Sequence, residues 1–330
     1  MKAQKRDSAK EKVEMSSLPL VIVNPASAGG ATGEAWPGVA SDLRRHFGPF
    51  ACAFTERSGD ARVIAEHEAA RGRSFIIACG GDGTVNEIAD GLLRSGADAE
   101  LGVLPSGTGG DFRRTLEIPE RAADAARALR DGRTMRVDAG RVVFAGESGG
   151  EETRHFINVA SFGMGVEVIG RVKKDGGSGA TAAATRALGG KAAFAVAALQ
   201  SAFAYAQPLV RITLDGGPEF RLKITNFCVA NARFFGGGMK IAPEAKLDDG
   251  LFDVVAIGDM SGTRILTNSY RVYLGTHLGL RQVQHTRARR VLARADDDGE
   301  VGIEIDGETA GRLPATFEIL PRSLRVRAPR

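Results

Sequence analysis

The 330-residue sequence has only three cysteines, Cys52, Cys79 and Cys228, and they are far apart in the chain. So few scattered thiols are not enough for a disulfide framework or a thiolate zinc site. Each cysteine lies among apolar residues, so we expect all three to be buried as small hydrophobic side chains. The sequence therefore argues against the small disulfide-stabilised secreted proteins and favours a reducing compartment.

Long apolar segments are also missing. The best candidate, Ala192–Ala206, contains Gln200 and is shorter than the roughly 20 residues that cross a bilayer. Residues 1–17 are rich in lysine and glutamate and lack the apolar core of a secretion signal, so we expect a disordered tail there. Together these features predict a cytoplasmic protein.

Several common site motifs are absent. The pair Gly190-Lys191 is followed by Ala192, so no P-loop signature is present, and no Gly-x-Ser-x-Gly nucleophile elbow occurs. The five histidines do not have the spacing of metal ligands. The net charge is only +4, with acidic and basic residues interleaved, so we expect no nucleic-acid partner.

The most informative segment that is present runs from Phe75 to Glu87. An apolar run, typical of a buried strand, ends in Gly80-Gly81-Asp82-Gly83-Thr84, and a helical pattern follows. Glycines let the backbone approach a ligand closely, and the start of the helix attracts phosphate. An aspartate there would repel phosphate unless a cation or a proton lay between them. The segment therefore indicates nucleotide phosphate, a metal and phosphoryl transfer, although Gly-rich turns also occur in other α/β proteins.

The first part of the chain alternates predicted strands and helices, which is typical of an open, Rossmann-like parallel α/β sheet. The predicted strands are 18–24, 51–55, 75–79 and 101–104, and the predicted helices are 34–47, 60–70 and 87–94. Ligands bind such sheets beyond the carboxyl ends of the strands. Both Gly-rich loops, after the first and third strands, lie at those ends.

After about Met135 short β-rich segments dominate, which predicts a largely antiparallel β-sandwich. The predicted strands are 136–144, 154–162, 209–214, 220–230, 250–257, 301–305, 316–320 and 323–327, with helices at 182–206 and 263–280. We therefore expect a tail over 1–17, an α/β nucleotide-binding domain over 18–135 and a β-domain over 136–330. The active site is expected in the cleft between the two domains.

Two acidic clusters in the second half have two interpretations each. Asp248-Asp249-Gly250 is either a hairpin turn or part of a hard oxygen site suited to magnesium. The segment Glu304 to Glu308 is either a turn or the position of a general base for a hydroxyl group. The residues alone leave both pairs of interpretations open.

The remaining motifs of the chain stand in a fixed order: 21–30 with Asn24-Pro25, 79–87, 104–112, 234–243 with Phe234 and Gly236-Gly237-Gly238, then Asp248-Asp249-Gly250, and finally Asp306-Gly307-Glu308. In this order they resemble the motifs of the diacylglycerol kinase-like lipid kinases, over about residues 20–329. The resemblance implies an ATP-dependent phosphotransferase of the 2.7.1 class that acts on a hydroxyl group of a membrane lipid.

The resemblance also implies roles for individual residues. ATP would be bound by Asn24, Pro25, Ala26, Ser27, Ala28, Thr55, Gly81, Asp82, Gly83, Thr84, Asn86, Glu87 and Thr108. Asp82 would organise metal and phosphate through water. Glu308 takes the position of the proton acceptor that deprotonates the lipid hydroxyl.

A magnesium site is implied in the second half of the chain. Its ligands would be Asp249 and the main-chain oxygens of Lys246 and Leu251, and Asp138 would join the same network. One position departs from the family pattern: Gly110 stands where the family usually has asparagine. That difference removes an amide side chain from segment 104–112, the third segment that the resemblance assigns to nucleotide binding.

Two rival functions remain open at this stage. NAD kinases share the Gly-Gly-Asp-Gly loop, and a nucleotide-binding regulatory protein without catalysis would need the same loop. The retained Asp82, Asp249 and Glu308 favour an enzyme.

The expected partner is a lipid at the membrane surface, reached by transient peripheral association. Phe234-Phe235 is a candidate apolar lip, Arg287, Arg289, Arg290 and Arg294 are candidate headgroup contacts, and a homodimer is conceivable.

Overall fold

A computed structural model of the chain describes residues 18–106, 109–146, 149–174, 205–296 and 299–330. Contacts divide the chain into two compact units. The first unit contains the residues up to Val137 together with Arg322–Arg330, and the second contains Asp138–Pro321. The tail expected over 1–17 and residues 182–204 of the helix expected over 182–206 lie outside the described residues, and residues 205 and 206 are not helical. The domain limits 18–135 and 136–330 stay predictions.

The first unit is built from alternating strands and helices. Its strands are β1 (Leu20–Val23), β2 (Ala51–Phe54), β3 (Phe75–Gly80) and β4 (Glu100–Pro105). Its helices are α1 (Ala31–His46), α2 (Asp60–Ala70), α3 (Asp82–Ser95), α4 (Asp111–Thr115) and α5 (Ala122–Asp131). The four strands pair in parallel in the order β4-β3-β1-β2.

Burial explains why this sheet forms. Every residue of β1 and β3 is buried, as the continuous apolar runs predict for strands with both faces covered. Helices α2 and α3 approach each other closely at Gly91, where a Cβ atom would collide with the carbonyl oxygen of Arg62. The carboxyl ends of β1, β3 and β4 lie at one edge, so Asn24, Gly81 and Ser106 come together there.

The second unit is rich in antiparallel strands. Its elements are the later part of β5 (Arg133–Ala145), then β6 (Glu151–Phe156), β7 (Val159–Gly163), α6 (Met164–Lys174), β8 (Leu209–Leu214), β9 (Phe220–Ala230), β10 (Phe252–Gly258), α7 (Gly262–Leu274), β11 (Val283–Ala288), β12 (Arg290–Ala295), β13 (Gly302–Ile305) and most of β14 (Glu308–Ala328). A short 3-10 turn, His277–Gly279, follows α7.

Six strands of this unit close into a ring. The pairing runs β7-β9-β8-β12-β14-β13 and back to β7, and every pair in it is antiparallel. Strands β10 and β11 extend the ring from β9, and β5 and β6 extend it from β14. Buried aromatic rings fill the core, including Phe162 stacked on Phe227 with 4.8 Å between ring centroids. The unit is a barrel with extra strands.

The fold class predicted from the sequence, an α/β domain followed by an antiparallel β-rich domain, is confirmed. Some element limits were wrong. The predicted strands 316–320 and 323–327 belong to one continuous strand, β14, and the predicted strand 154–162 is divided between β6 and β7. Strands β11 and β12 were not predicted: residues 284–287 of β11 are all polar, and β12 contains Arg290 and Arg294.

The cysteines behave as expected in two of three cases. Cys79 and Cys228 are buried, and burial raises the pKa of the Cys79 thiol to about 12. Cys52 is exposed, so the prediction that it is buried was wrong. It lies on β2, the edge strand of the parallel sheet, where alternate side chains face outward.

No helix in the described part of the chain is long and apolar enough to cross a membrane.

Candidate active site

The loop after β1 brings the first predicted site residues to the edge of the parallel sheet. The Asn24 side chain donates a hydrogen bond from Nδ2 to Oγ1 of Thr84, 3.0 Å away, and its Oδ1 accepts one from the Ala26 amide. Pro25 and Ala26 form a turn, and Ala28 has a positive φ of 55°. The loop is therefore held to the start of α3 by one amide side chain.

Ser27 connects this loop to the other two Gly-rich segments. Its hydroxyl oxygen accepts a hydrogen bond from the Gly81 amide at 2.9 Å, and the same hydroxyl donates to the Ser106 carbonyl oxygen at 3.4 Å. Thr32, at the start of α1, also donates to that carbonyl, at 3.3 Å. The three loops that the sequence predicts as phosphate-binding thus form one connected group in the first unit.

Asp82 makes the strongest connection within this group. Its Oδ2 accepts from the Gly110 amide at 2.7 Å, and its Oδ1 accepts from the Asp111 amide at 2.8 Å and from the Phe112 amide at 3.4 Å. These are the first amides of α4, which would otherwise have no partner within the helix. The Asp82 carboxylate therefore caps α4 as well as standing at the start of α3.

Three glycines are needed for this arrangement. A Cβ atom on Gly80 would lie 2.5 Å from Oγ1 of Thr84, and one on Gly109 would collide with the Asp82 carboxylate. Gly110 has φ 71° and ψ 38°, a left-handed conformation in which glycine and asparagine are the residues with least strain. Gly110 and the asparagine that is usual in the family are therefore the two residue types best suited to this backbone conformation.

A cavity of about 80 Å³ lies among these loops. It is lined by Gly80, Gly81, Asp82, Val85, Val103, Pro105, Ser106, Gly109, Gly110, Arg113 and Glu120. No side chain caps the beginning of α3, which starts beside the cavity after Gly81. Arg113 is the cation of the cavity wall: its side chain is 15% exposed and lies 3.6 Å from the Glu120 carboxylate. Sequence reasoning missed Arg113, although it lies in the segment that follows the third Gly-rich loop.

The Glu87 carboxylate accepts hydrogen bonds at the start of a different helix, α2. Its Oε1 accepts from the Gly59 amide at 2.8 Å, and its Oε2 accepts from the Ala61 amide at 3.2 Å. Both amides belong to the beginning of α2. Glu87 therefore holds the segment that follows Thr55, and Thr55 itself is buried, with its amide bonded to the Val23 carbonyl oxygen.

The remaining predicted ATP residues have a simpler placement. Gly83 and Asn86 lie in the first turns of α3 and are half-buried, and the Thr84 side chain is buried. Thr108 lies outside the described residues. All the other predicted ATP residues belong to the first unit, at the edge where the parallel strands end.

The predicted magnesium ligands lie on one turn of the second unit. Asp138 is fully buried, and its Oδ2 accepts from the Gly250 amide at 2.7 Å. Oδ1 of Asp249 accepts from the Leu251 amide at 3.1 Å, and the Asp138 amide donates to the Leu247 carbonyl oxygen at 2.5 Å. The Asp249 carboxylate and the main-chain oxygens of Lys246 and Leu251 therefore belong to one turn, which hydrogen bonds join to Asp138 on β5. The described residues contain no cluster of three or more acidic, histidine or cysteine side chains suited to a metal.

Glu308 begins β14, directly after the Asp306-Gly307 turn. Its side chain is 39% exposed and lies 3.6 Å from the guanidinium of Arg154. The Asp306 carboxylate accepts three amides, from Ile157, Asn158 and Val159, at 2.8 to 3.0 Å. The turn that presents Glu308 is thereby fixed to the segment between β6 and β7.

Sequence reasoning did not predict the burial of Glu304, two residues before Asp306. Glu304 is buried, and Ser161 donates a hydrogen bond from Oγ to its Oε2 at 2.9 Å. Burial raises the pKa of its carboxyl group to about 7, opposed by the Ser161 hydrogen bond and reinforced by the nearby charge of Asp306. No sequence pattern distinguishes this buried carboxyl group from an exposed one on a strand.

Two family models match the chain. Residues 19–142 match the diacylglycerol kinase catalytic domain, and residues 170–328 match the YegS C-terminal NAD kinase beta sandwich-like domain. The chain is 30% identical to a diacylglycerol kinase of Bacillus subtilis strain 168, over 84% of each chain. It is also 30% identical to a diacylglycerol kinase of Mycobacterium tuberculosis strain H37Rv, over 94% of each chain.

Solved structures have the same fold. A crystal structure of a Bacillus anthracis strain Sterne protein, provisionally called a diacylglycerol kinase, superposes with a TM-score of 0.73 at 26% identity, covering 94% of this chain and 97% of that one. Yeast NADH kinase, complexed with NADH, reaches a TM-score of 0.51 at 10% identity, covering 95% and 84%, which is a likeness of fold alone.

The matches to both halves of the chain establish the class: this is a phosphotransferase. The chain belongs to the diacylglycerol kinase family, with a catalytic domain followed by a YegS-type C-terminal domain. The resemblance found in the sequence motifs is thereby confirmed. Membership of this kinase family also implies that the phosphate donor is ATP.

Proposed function

We propose that the protein transfers the γ-phosphate of ATP to the hydroxyl group of diacylglycerol or a closely related membrane lipid. The observation that carries the proposal is the connected group of three Gly-rich loops, held together by Ser27 and Asp82 at the start of α3. Free amides at a helix start and close backbone approach suit a triphosphate. The relatives named diacylglycerol kinase support the choice of acceptor.

Residues of the first unit would bind and orient ATP. The amides of the first turn of α3, such as that of Gly83, would donate to phosphate oxygens, and Arg113 would supply a positive charge at the cavity wall. Asp82 would act mainly by positioning, because its carboxylate holds the Gly110 segment in place. Asn24 would position the first loop through its bond to Thr84.

Glu308 would be the proton acceptor. The lipid hydroxyl oxygen attacks the γ-phosphorus, its proton passes to the Glu308 carboxylate, and the bond from that phosphorus to the bridging oxygen breaks to release ADP. The Asp306-Gly307 turn keeps Glu308 in place, since Asp306 is fixed by three amides. An exposed carboxylate at that point can be reached by a substrate hydroxyl.

Magnesium would be held by Asp249 and the main-chain oxygens of Lys246 and Leu251, with Asp138 in the same network. The chemistry of these donors fits a hard cation, because carboxylate and carbonyl oxygens are the ligands that magnesium prefers. Asp138 is fully buried and bonded to the Gly250 amide, so its carboxylate stabilises the turn that carries these oxygens. When bound, the ion would neutralise the carboxylates of this turn and stabilise it.

Because the proposed acceptor is a membrane lipid, the protein would act as a peripheral enzyme, at the cytoplasmic face of a membrane. The test is phosphate transfer from γ-labelled ATP, with magnesium, to a panel of lipids in detergent micelles, with NAD as a parallel acceptor. We expect a labelled lipid, and a loss of label in Glu308→Gln. The matched control is Glu300→Gln, an exposed carboxylate paired with Arg312. Labelled NADP in place of labelled lipid would overturn the proposal.

A further inference from the structure

Helix α7 (Gly262–Leu274) is unusual in having no buried residue along its length. It carries four of the nine large apolar side chains that are exposed in the described part of the chain: Leu266 (50%), Tyr270 (55%), Tyr273 (50%) and Leu274 (64%). Single exposed apolar residues are normal on a protein surface, but such a concentration on one helix marks an interaction site.

These four residues share one side of the helix. With about 100° between successive residues, they fall within an arc of about 100°, and no charged residue lies between them. The opposite side carries Ile265 and Val272 together with Asn268: Val272 packs against the core cluster that includes Val255 of β10, and its carbonyl oxygen accepts the Lys240 amide at 2.9 Å. A helix that only covered a core would have polar residues outward. The outward apolar face of α7 is therefore left to contact something else.

Basic residues predominate around this face: Asp259, which precedes α7, is paired with Lys223, and Glu244 lies next to Pro243 at the other end of the helix. Residues 260–295 contain seven arginines and no aspartate or glutamate, in a chain whose net charge is only +4. Arg287, Arg290 and Arg294 are held in ion pairs with Asp253, Glu318 and Glu219, so they are poor candidates for headgroup contacts.

Three other basic residues are better placed. Arg264 belongs to the first turn of α7, Lys240 contacts the end of the helix at Gly275, and Arg281 follows the 3-10 turn after it. All three are exposed, and none of them has an ion pair among the residues that the structure describes. Each of these cations can therefore meet an anion outside the protein.

Helix α7 lies next to a second apolar feature, the hairpin of residues 235–239. Lys240 directly follows the hairpin in which Phe235 pairs with Met239, and this hairpin contains the apolar lip suggested by Phe234-Phe235. Phe235 packs against the same core cluster as Val272. The hairpin and α7 therefore lie side by side in the second unit.

We propose that the outward face of α7 docks the protein on an anionic lipid surface, with Leu266, Tyr270, Tyr273 and Leu274 at the acyl boundary and Lys240, Arg264 and Arg281 at the headgroups. This proposal rests on the proposed function, which requires a membrane-borne acceptor. A basic helix with leucine and tyrosine outward is suited to the interface of a negatively charged bilayer. A second copy of the chain fits less well, because a symmetric contact would bring the same cations together.

The test uses the full chain and vesicles of phosphatidylcholine with or without phosphatidylglycerol, in the absence of ATP. We expect the wild-type protein to sediment with the anionic vesicles and to remain in solution with the neutral ones. Leu266→Ser/Tyr270→Ser/Leu274→Ser should bind the anionic vesicles about tenfold more weakly or worse. The matched control is Val63→Ser, since Val63 on α2 is 60% exposed and should not matter.

A second set of variants tests the charges without altering the apolar face. Lys240→Gln/Arg264→Gln/Arg281→Gln should weaken anionic-vesicle binding about tenfold or more and remove its dependence on salt. Arg45→Gln/Arg71→Gln, two exposed arginines of the first unit, should leave binding unchanged. Unchanged binding in both α7 variants would overturn the proposal.

Sedimentation velocity of the same proteins tests the alternative that the outward face of α7 contacts a second copy of the chain. If the wild-type protein is a dimer that the apolar variant converts to a monomer, the face is a subunit interface and the proposal is overturned. Phosphorylation of a short-chain lipid in detergent micelles separates docking from catalysis, and we expect the α7 variants to keep this activity. A wild-type protein that binds anionic vesicles but phosphorylates no acceptor would overturn the proposed function and leave the docking surface standing.

Discussion

The Asp82 carboxylate accepts the backbone amide of Gly110, 28 residues further along the chain, at 2.7 Å. The same carboxylate accepts the Asp111 amide at 2.8 Å, so one side chain caps α4 while standing at the start of α3. The Gly-Gly-Asp-Gly signature therefore has a structural task in addition to its proposed role in ATP binding. Its aspartate holds the third Gly-rich segment against the second.

This relationship predicts a loss of stability in Asp82→Ala even without nucleotide. Two well-aligned amides and a third, weaker one lose their acceptor, which should lower the free energy of unfolding by about 1–3 kcal/mol. Urea unfolding of the nucleotide-free protein measures it. Asp124→Ala, an exposed first-turn aspartate of α5, is the control. Equal stability of Asp82→Ala and the wild-type protein would show that the cap contributes nothing.

Glu87 should control the local stability of the start of α2. In Glu87→Ala the Gly59 and Ala61 amides lose their carboxylate partner, so we expect faster hydrogen exchange there and weaker ATP binding. Hydrogen-exchange mass spectrometry and ATP titration measure the two effects. The neighbouring Glu56→Ala, an exposed position, should change neither. Unchanged exchange in residues 55–61 of Glu87→Ala would contradict this role.

Gly110 should accept asparagine better than a β-branched residue. Its φ of 71° is a conformation that asparagine tolerates, whereas valine there should cost on the order of 1–3 kcal/mol. An added Cβ atom would lie 3.0 Å from Nε of Arg113, whose flexible side chain can move away. Thermal unfolding should therefore rank the wild-type protein and Gly110→Asn close together, with Gly110→Val well below. A valine variant as stable as the asparagine variant would refute the backbone argument.

Glu304 should make the stability of the protein depend on pH. Burial raises the pKa of its carboxyl group from 4.5 to about 7, so between these values the folded state keeps a proton that the unfolded state has lost. The contribution of Glu304 to stability must then fall as the pH rises from 4.5 to 7 and level off above 7, by an amount on the order of 3 kcal/mol at most.

The measurement is urea unfolding of the wild-type protein and Glu304→Gln across that pH range. Glutamine cannot ionise, so the stability of the wild-type protein relative to the variant should decrease with rising pH. Glu300→Gln, an exposed glutamate nearby, should show no such trend relative to the wild-type protein. A difference between the wild-type protein and Glu304→Gln that is constant from pH 4.5 to 7 would mean that the carboxyl group ionises normally in the folded state.

The sequence alone was sufficient for the fold class, the order of the α/β elements, the family and the position of the Gly-rich loops. The reason is that buried parallel strands such as β1 and β3 appear as continuous apolar runs, and parallel strands place their carboxyl ends at one edge. The loops after Val23 and Gly80 could therefore be expected together before any coordinates were known.

Only the tertiary structure decided which groups the side chains of the Gly-rich loops contact. Asp82 and Glu87 bind the starts of helices 28 and 26 residues away, and such partners depend on strand register and helix crossing, which sequence periodicity does not encode. The same holds for the burial of Glu304 and for the side of α7 that faces outward. Because α7 has apolar residues on both sides, its pattern gives no indication of which side packs against the protein.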